Sequence, residues 1–198
     1  MRARKSLPVS APALAGAASS EATLLNLGCG PFARAGWINC DLKPVSGVEL
    51  RADLRRGLPL ANASVDGIAA IHVLQDLAYT ELDAALRELR RVLVRGGVLR
   101  LGLPDLDRAL RAYACGDGAY FHVPDGDAAS LGAKLVTQIV WYGSVRTPFT
   151  WDFARERLAH AGFGQVRRCA FGHTRSAHAA LAALDNRERE TLFIEAVA

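Results

Sequence analysis

Nowhere do the 198 residues hold an apolar run near the ~18 that a bilayer-crossing helix needs, which excludes a membrane span as the organising feature. Cysteine is scarce: Cys29, Cys40, Cys115 and Cys169 stand apart, without a Cys-x-x-Cys or matching histidine pairs. That spacing indicates neither a zinc site nor a disulfide framework, and it fits a reducing compartment, with the cytoplasm as the expected location. Charge of one sign is also in small excess. The formal net charge is +4, and Arg2, Arg4 and Lys5 supply three of these charges, so the remainder carries no electrostatic footprint for nucleic acid. Where bases do cluster, Arg87, Arg90, Arg91 and Arg95 interleave with Glu81, Asp83 and Glu88 but not with aromatics, which predicts a solvated helix face and not a strand-binding groove. No internal repeat and no linker divides the chain.

What is present is enough for one sizeable core, since 51% of residues are hydrophobic at a length within the usual range of one domain. Residues 1–20 mix a basic start with Ala, Ser, Gly and Pro. Pro8, Ser10 and Pro12 break any signal-like apolar core, so a flexible tail is expected there and one domain over 21–198.

Short apolar runs at Leu24–Leu27 and Trp37–Cys40 predict buried strands, each ending at a chemically notable residue, Gly28 and Asp41. Alternation over Val48–Leu54 predicts a third strand ending near Asp53, and Val65–Val73 a fourth ending near His72. Leu82, Leu86, Leu89 and Leu93 then recur with helical period, which predicts a helix over Thr80–Val94 stopped by Arg95-Gly96-Gly97; Val98–Leu103 follows as a strand closed by Pro104. Strand, helix, glycine and strand in that order mark a crossover onto a parallel sheet. Further on, helices are expected over Leu106–Tyr113, Leu131–Tyr142 and, capped by Thr150, through Ala161. Two last strands are expected over Gln165–Phe171 and Thr191–Val197, the latter inserted in the sheet.

The strand Leu24–Leu27 runs into Gly28-Cys29-Gly30, a turn whose bare backbone lets a ligand approach. Gly28-x-Gly30-x-x-Ala33 formally satisfies a dinucleotide fingerprint, so a nicotinamide-dependent oxidoreductase is one reading. That fingerprint also wants a crossover helix and an acid ~20 residues on. Here Asp41 comes eleven residues after Gly30, and Pro31, Gly36 and Trp37 fill the interval, so a pyrophosphate would lack its helix dipole. S-adenosylmethionine removes that difficulty: the turn can meet its amino-acid end, Asp41 its ribose diol, and Asp53 with Leu54 its adenine. Three successive strand ends offer these groups in order, where ligands of open α/β sheets bind. Individually, a turn glycine, a loop acid or a capping aspartate explains each residue as well.

Taken together, Leu25-Asn-Leu-Gly-Cys-Gly30, Gly36-Trp-Ile-Asn-Cys-Asp41-Leu, Ala52-Asp53-Leu-Arg, Ser64-Val-Asp66, His72-Val-Leu74, the Arg87–Gly97 segment and Leu103-Pro-Asp-Leu106 resemble a class I S-adenosylmethionine-dependent methyltransferase, most of all a small bacterial group of predicted methyltransferases. The resemblance spans roughly residues 24–106. It implies an α/β, doubly wound, mostly parallel seven-stranded sheet with a shortened or missing first crossover helix and an antiparallel last strand. The cofactor-binding set is then Leu27, Gly28, Cys29, Gly30, Asp41, Leu42, Asp53, Leu54 and His72. One departure stands out: where that group usually reads Glu-His-Val-Leu-Glu-His, this chain reads Ile71-His72-Val73-Leu74-Gln75-Asp76. A catalytically degenerate cofactor-binding module is therefore a rival expectation.

Methyl transfer asks a protein mainly for alignment and, where needed, for removal of an acceptor proton. His72 and Asp76 are the candidate bases; the alternatives are loop ordering by hydrogen bonding for His72 and a helix-start role for Asp76. No metal is called for. A small-molecule acceptor, or a cell-surface precursor, is expected against the aromatic-rich region after Asp105, with Tyr113, Tyr120, Phe121, His122, Trp141 and Tyr142.

Overall fold

The computed structural model describes residues 22–198, so the tail expected over residues 1–20 lies outside the described residues. Seven strands form one sheet: β1 Leu24–Leu27, β2 Ile38–Asp41, β3 Leu50–Arg51, β4 Val65–Ile71, β5 Leu93–Pro104, β6 Gly164–Cys169 and β7 Thr191–Val197. Their spatial order is β3-β2-β1-β4-β5-β7-β6. Neighbours from β3 to β5 pair parallel, and β7 runs antiparallel between β5 and β6. The order reverses at β1 and β4, so the carboxyl ends of these strands border the crevice where such sheets take ligands.

Alternate side chains of each strand serve opposite faces. Leu25, Leu27, Ile68, Ala70, Leu99, Leu101 and Leu103 join the main core, which helix α1 (Tyr79–Val92) covers with Leu82, Leu86 and Leu89 and helix α4 (Trp151–His160) covers with Leu158. Truncating one of these buried leucines to alanine costs about 2–5 kcal/mol. The other face buries Leu24, Ala69 and Val98 under Leu181 and Leu184 of a 3-10 segment, Ala179–Leu184. Arg100 lies on that face too. It is wholly buried and bonded to Asp185, to Glu195 across the strand pair, and to the carbonyls of Ala170 and His173, which fastens the segment before β7 onto the sheet.

Helix boundaries follow local chemistry. The Glu81 carboxylate accepts the Ala78 N–H at 2.7 Å to start α1, and the Thr150 hydroxyl accepts from Phe153 to start α4, as its sequence predicts. Three expectations need correction. Leu93 turns extended to pair with Val65, so α1 ends at Val92, and Arg95-Gly96-Gly97 forms a bulge between the Val65–Leu93 and Gly67–Val98 pairs instead of a helix stop. The strand expected over Val48–Leu54 shrinks to Leu50–Arg51, because the Glu49 carboxylate is drawn to Asn39 and Asp53 caps a 3-10 turn over Leu54–Arg56. The helix α3 (Leu131–Val140), paired with α2 (Leu106–Ala114), stops before Trp141, where the backbone turns left-handed.

Candidate functional site

Between β1 and β2 there is no helix. Residues 31–37 run as an irregular connection whose polar backbone groups need partners that a helix would have supplied. Two buried asparagines facing each other on the strands provide them. Asn39 accepts the Arg34 N–H at 2.7 Å and donates to the carbonyls of Arg34 and Trp37, while Asn26 donates to the carbonyl of Phe32 at 2.9 Å. The glycine turn is tied down in the same way. Gly28 and Cys29 both donate to the Cys40 carbonyl, at 2.8 and 3.1 Å.

The two glycines of the turn do different things. Gly28 has a φ of +64°, and a Cβ there would overlap Val73 Cγ2, so backbone and space both require glycine. Gly30, at +50°, has nothing within 4 Å of where a Cβ would stand; its backbone borders open space. Asp41 guards that space. Its carboxylate accepts from Gly30 N–H at 2.9 Å and Lys43 N–H at 2.8 Å and keeps lone pairs for further donors. Leu42 is half exposed beside it, whereas Leu27, Cys29 and Leu54 are core residues; burial pushes the Cys29 thiol up, which leaves it unreactive packing. Asp53 is engaged: Arg55 binds both of its oxygens at 2.8 Å and holds its carboxyl below the usual carboxylate range. Its bland reading as a turn cap is therefore realised, and an adenine amino group would compete with that guanidinium. Gly28, Gly30 and Asp41 form a turn with an open cradle and a fixed carboxylate, which fits the amino-acid and ribose ends of S-adenosylmethionine. No helix N-terminus stands there for a pyrophosphate.

The loop after β4 has two sides. Val73 packs on Gly28, and its neighbours His72, Gln75 and Asp76 border a cavity of about 80 Å³ whose far wall includes Tyr120, Trp141 and Arg187. His72, at a φ of +56°, donates its N–H to the Gly102 carbonyl at 2.8 Å. Its Nε2 lies 3.1 Å from the Thr191 hydroxyl, which has its one proton directed at the carbonyls of Arg187, at 2.8 Å, and Asn186. With the hydroxyl donating to its shortest contact, the Arg187 carbonyl, Thr191 accepts from His72; the network thus assigns the proton to Nε2 and leaves Nδ1 without a partner among the described residues. Burial, helped by nearby Arg187, depresses this imidazole to about 4, so it is neutral at pH 7. Burial pushes Asp76 the other way, above the usual carboxylate range, against a bond from Gln75 Nε2 at 3.1 Å.

The aromatic-rich region divides. Tyr120 and Trp141 reach the cavity, Phe121 sits in a small core with Ala109 and Ala112, His122 faces Glu190 at 3.6 Å, and Tyr113 is exposed. Trp141 and Tyr142 have φ of +40° and +55°, a rare pair of left-handed non-glycine residues that swings them out of α3 and sends the Tyr142 hydroxyl to Asp127 at 2.6 Å. Three positions that shape the candidate site carry no signal of that role in the sequence. Asn39 stood inside a quoted motif without a role, and Thr191 and Arg187 reach His72 from the far end of the chain, with no local signal.

Residues 39–101 match a family model described as a methyltransferase domain. No curated protein matches the chain. Among solved structures, an S-adenosylmethionine-dependent methyltransferase of Archaeoglobus fulgidus shares 12% identity at a TM-score of 0.56, covering 89% of this chain and 86% of that one. One from Thermotoga maritima, described as a possible histamine N-methyltransferase, shares 19% at 0.53 over 91% and 84%. One from Mesorhizobium loti shares 18% at 0.52 over 89% and 91%. The chain thus has the fold of class I S-adenosylmethionine-dependent methyltransferases, and S-adenosylmethionine is the cofactor to which fold and domain point.

Proposed function

We propose that this chain, built on the class I methyltransferase fold, binds S-adenosylmethionine on the Gly28–Gly30 turn and passes its methyl group to a small molecule held in the cavity beside His72. The observation that carries this reading is the shared loop after β4: Val73 supports the glycine turn while His72, just before it, and Gln75 and Asp76, two and three residues after it, border the cavity. Donor and acceptor sites on two sides of one short loop are what an in-line transfer needs. When bound, the cofactor supplies an electrophilic methyl on a sulfonium. The protein's part is placement, with Gly30 and Asp41 holding one partner. Neutral His72, anchored by Thr191, and Asp76 offer lone pairs to any proton the acceptor must lose.

Calorimetric titration with S-adenosylmethionine, S-adenosylhomocysteine and NAD tests this directly. Both sulfur compounds should bind and NAD should not. Binding of NAD alone would sink the reading in favour of the oxidoreductase. A screen that finds cofactor binding yet no methylated product with any acceptor would favour the degenerate module.

A further inference from the structure

Beside the cavity, three hydrogen-bond acceptors have lone pairs without a partner among the described residues. Gln75 is only 5% exposed, and its Oε1 has no partner among the described residues. Its Nε2 donates to Asp76, and its main-chain oxygen takes the N–H groups of Arg146 and Thr147 at 2.8 and 3.0 Å, so the residue is pinned in place with its side-chain acceptor idle. A buried carbonyl left unmatched costs about 1–3 kcal/mol, which a ligand donor would recover. Asp76 beside it forms no ion pair among the described residues, whereas the other acids at the cavity are matched: Asp105 by Arg108 at 3.2 Å, and Glu190 by His122 and Arg187 at 3.6 and 3.9 Å. The free Nδ1 of His72 is a third acceptor. Gln75, Asp76 and His72 border this one cavity, with Pro104 and Ile139 in its apolar wall and Tyr120 and Arg187 among its other polar groups, and Lys43 acts on Asp76 only from beyond ion-pair distance.

We infer that this cavity recognises a small primary or secondary amine, with N–H groups directed at Gln75 Oε1 and His72 Nδ1 and its positive charge beside Asp76. This rests on the cavity being the acceptor site. An alcohol brings one donor and no charge; an ammonium brings up to three donors and the charge that Asp76 lacks. An anion would depend on Arg187, which is exposed at the rim and turned toward Glu190.

Benzylamine, benzyl alcohol and benzoate have similar shapes and separate these chemistries. Titrated into the full chain without cofactor, benzylamine should bind at least tenfold tighter than benzyl alcohol, with benzoate weakest. Asp76→Asn keeps the shape and should lower benzylamine affinity about tenfold while leaving benzyl alcohol within twofold. Gln75→Met should also weaken benzylamine, and an unchanged melting temperature in either variant shows that the fold is intact. Benzoate binding as tightly as benzylamine, or both variants binding benzylamine like wild type, overturns the inference. S-adenosylmethionine binding with no amine preference removes the amine alone, whereas amine preference without S-adenosylmethionine binding keeps the amine and removes the methyltransferase reading.

Discussion

On one side of the loop after β4, the Gly28–Gly30 turn, Asn39 and Asp41 come from neighbouring strands and are fixed by short-range bonds; on the other, His72, Tyr120, Trp141 and Arg187 are gathered from across the chain. The first side is a backbone device, in which glycines, carbonyls and two asparagines leave little freedom. The second is a side-chain device that hangs on a few long-range anchors, among them Arg100 and Thr191. A backbone cradle suits a constant cofactor, and a side-chain cavity can vary with its acceptor.

Arg100→Met presses hardest on this contrast. It strands Asp185 and Glu195 as buried charges, a loss of about 3–5 kcal/mol that should lower the melting temperature by about 10 °C. Because the affected segment leads to Asn186 and Arg187, acceptor-side binding should fall in the folded protein while S-adenosylmethionine affinity holds. Equal loss of both, measured by calorimetry below the transition, would show that the two sides are not separable.

A pH effect comes next in size. In the fold His72 titrates at about 4, with Arg187 and the Thr191 hydroxyl facing it. The unfolded chain takes up that proton near 6.5, so stability drops as pH falls from 6.5 to 4, by at most about 3 kcal/mol, and this contribution changes no further below. Denaturant midpoints across that range should slope for wild type and flatten for His72→Gln; parallel curves would deny His72 its buried, neutral state.

Within the turn itself, Gly28→Ala should cost about 2–3 kcal/mol, from the left-handed backbone plus overlap with Val73, and Gly30→Ala only about 1 kcal/mol. Gly30→Ala should nevertheless weaken S-adenosylmethionine binding, because its methyl enters the cradle. Thermal melts paired with titrations check both; if Gly30→Ala binds like wild type, the cradle lies elsewhere.

The smallest expected change separates two aspartates. Asp41→Ala should weaken S-adenosylmethionine about tenfold, the scale of one charge-assisted hydrogen bond. Asp53→Ala should do less, since its carboxylate is already held by Arg55. A larger loss at Asp53 than at Asp41, read by calorimetry, would reverse the assignment of ribose and adenine.

The same contrast governs what the sequence discloses. Strands β1, β2, β4 and β7, the leucine stripe of α1, the Thr150 cap and the missing crossover helix were legible because each is written in adjacent residues with a fixed period. Val48–Leu54 misled, since alternation does not reveal that Glu49 answers to Asn39 and Asp53 to Arg55. The cavity was legible only in part. Tyr120 and Trp141 stood in an aromatic-rich region, but nothing near His72 announces Thr191, and helical period does not foretell the left-handed turn at Trp141 and Tyr142.

The short link between β1 and β2 also bears on how the chain folds. Closing residues 28–37 costs roughly 2 kcal/mol less chain entropy than bringing β7 to β5 across residues 105–190, if both are treated as flexible loops. Local pairing of this kind favours early formation, whereas the antiparallel closure that delivers Thr191 to His72 has high contact order. By this reasoning the glycine turn should form early in folding, and the cavity beside His72 should be completed only when β7 docks.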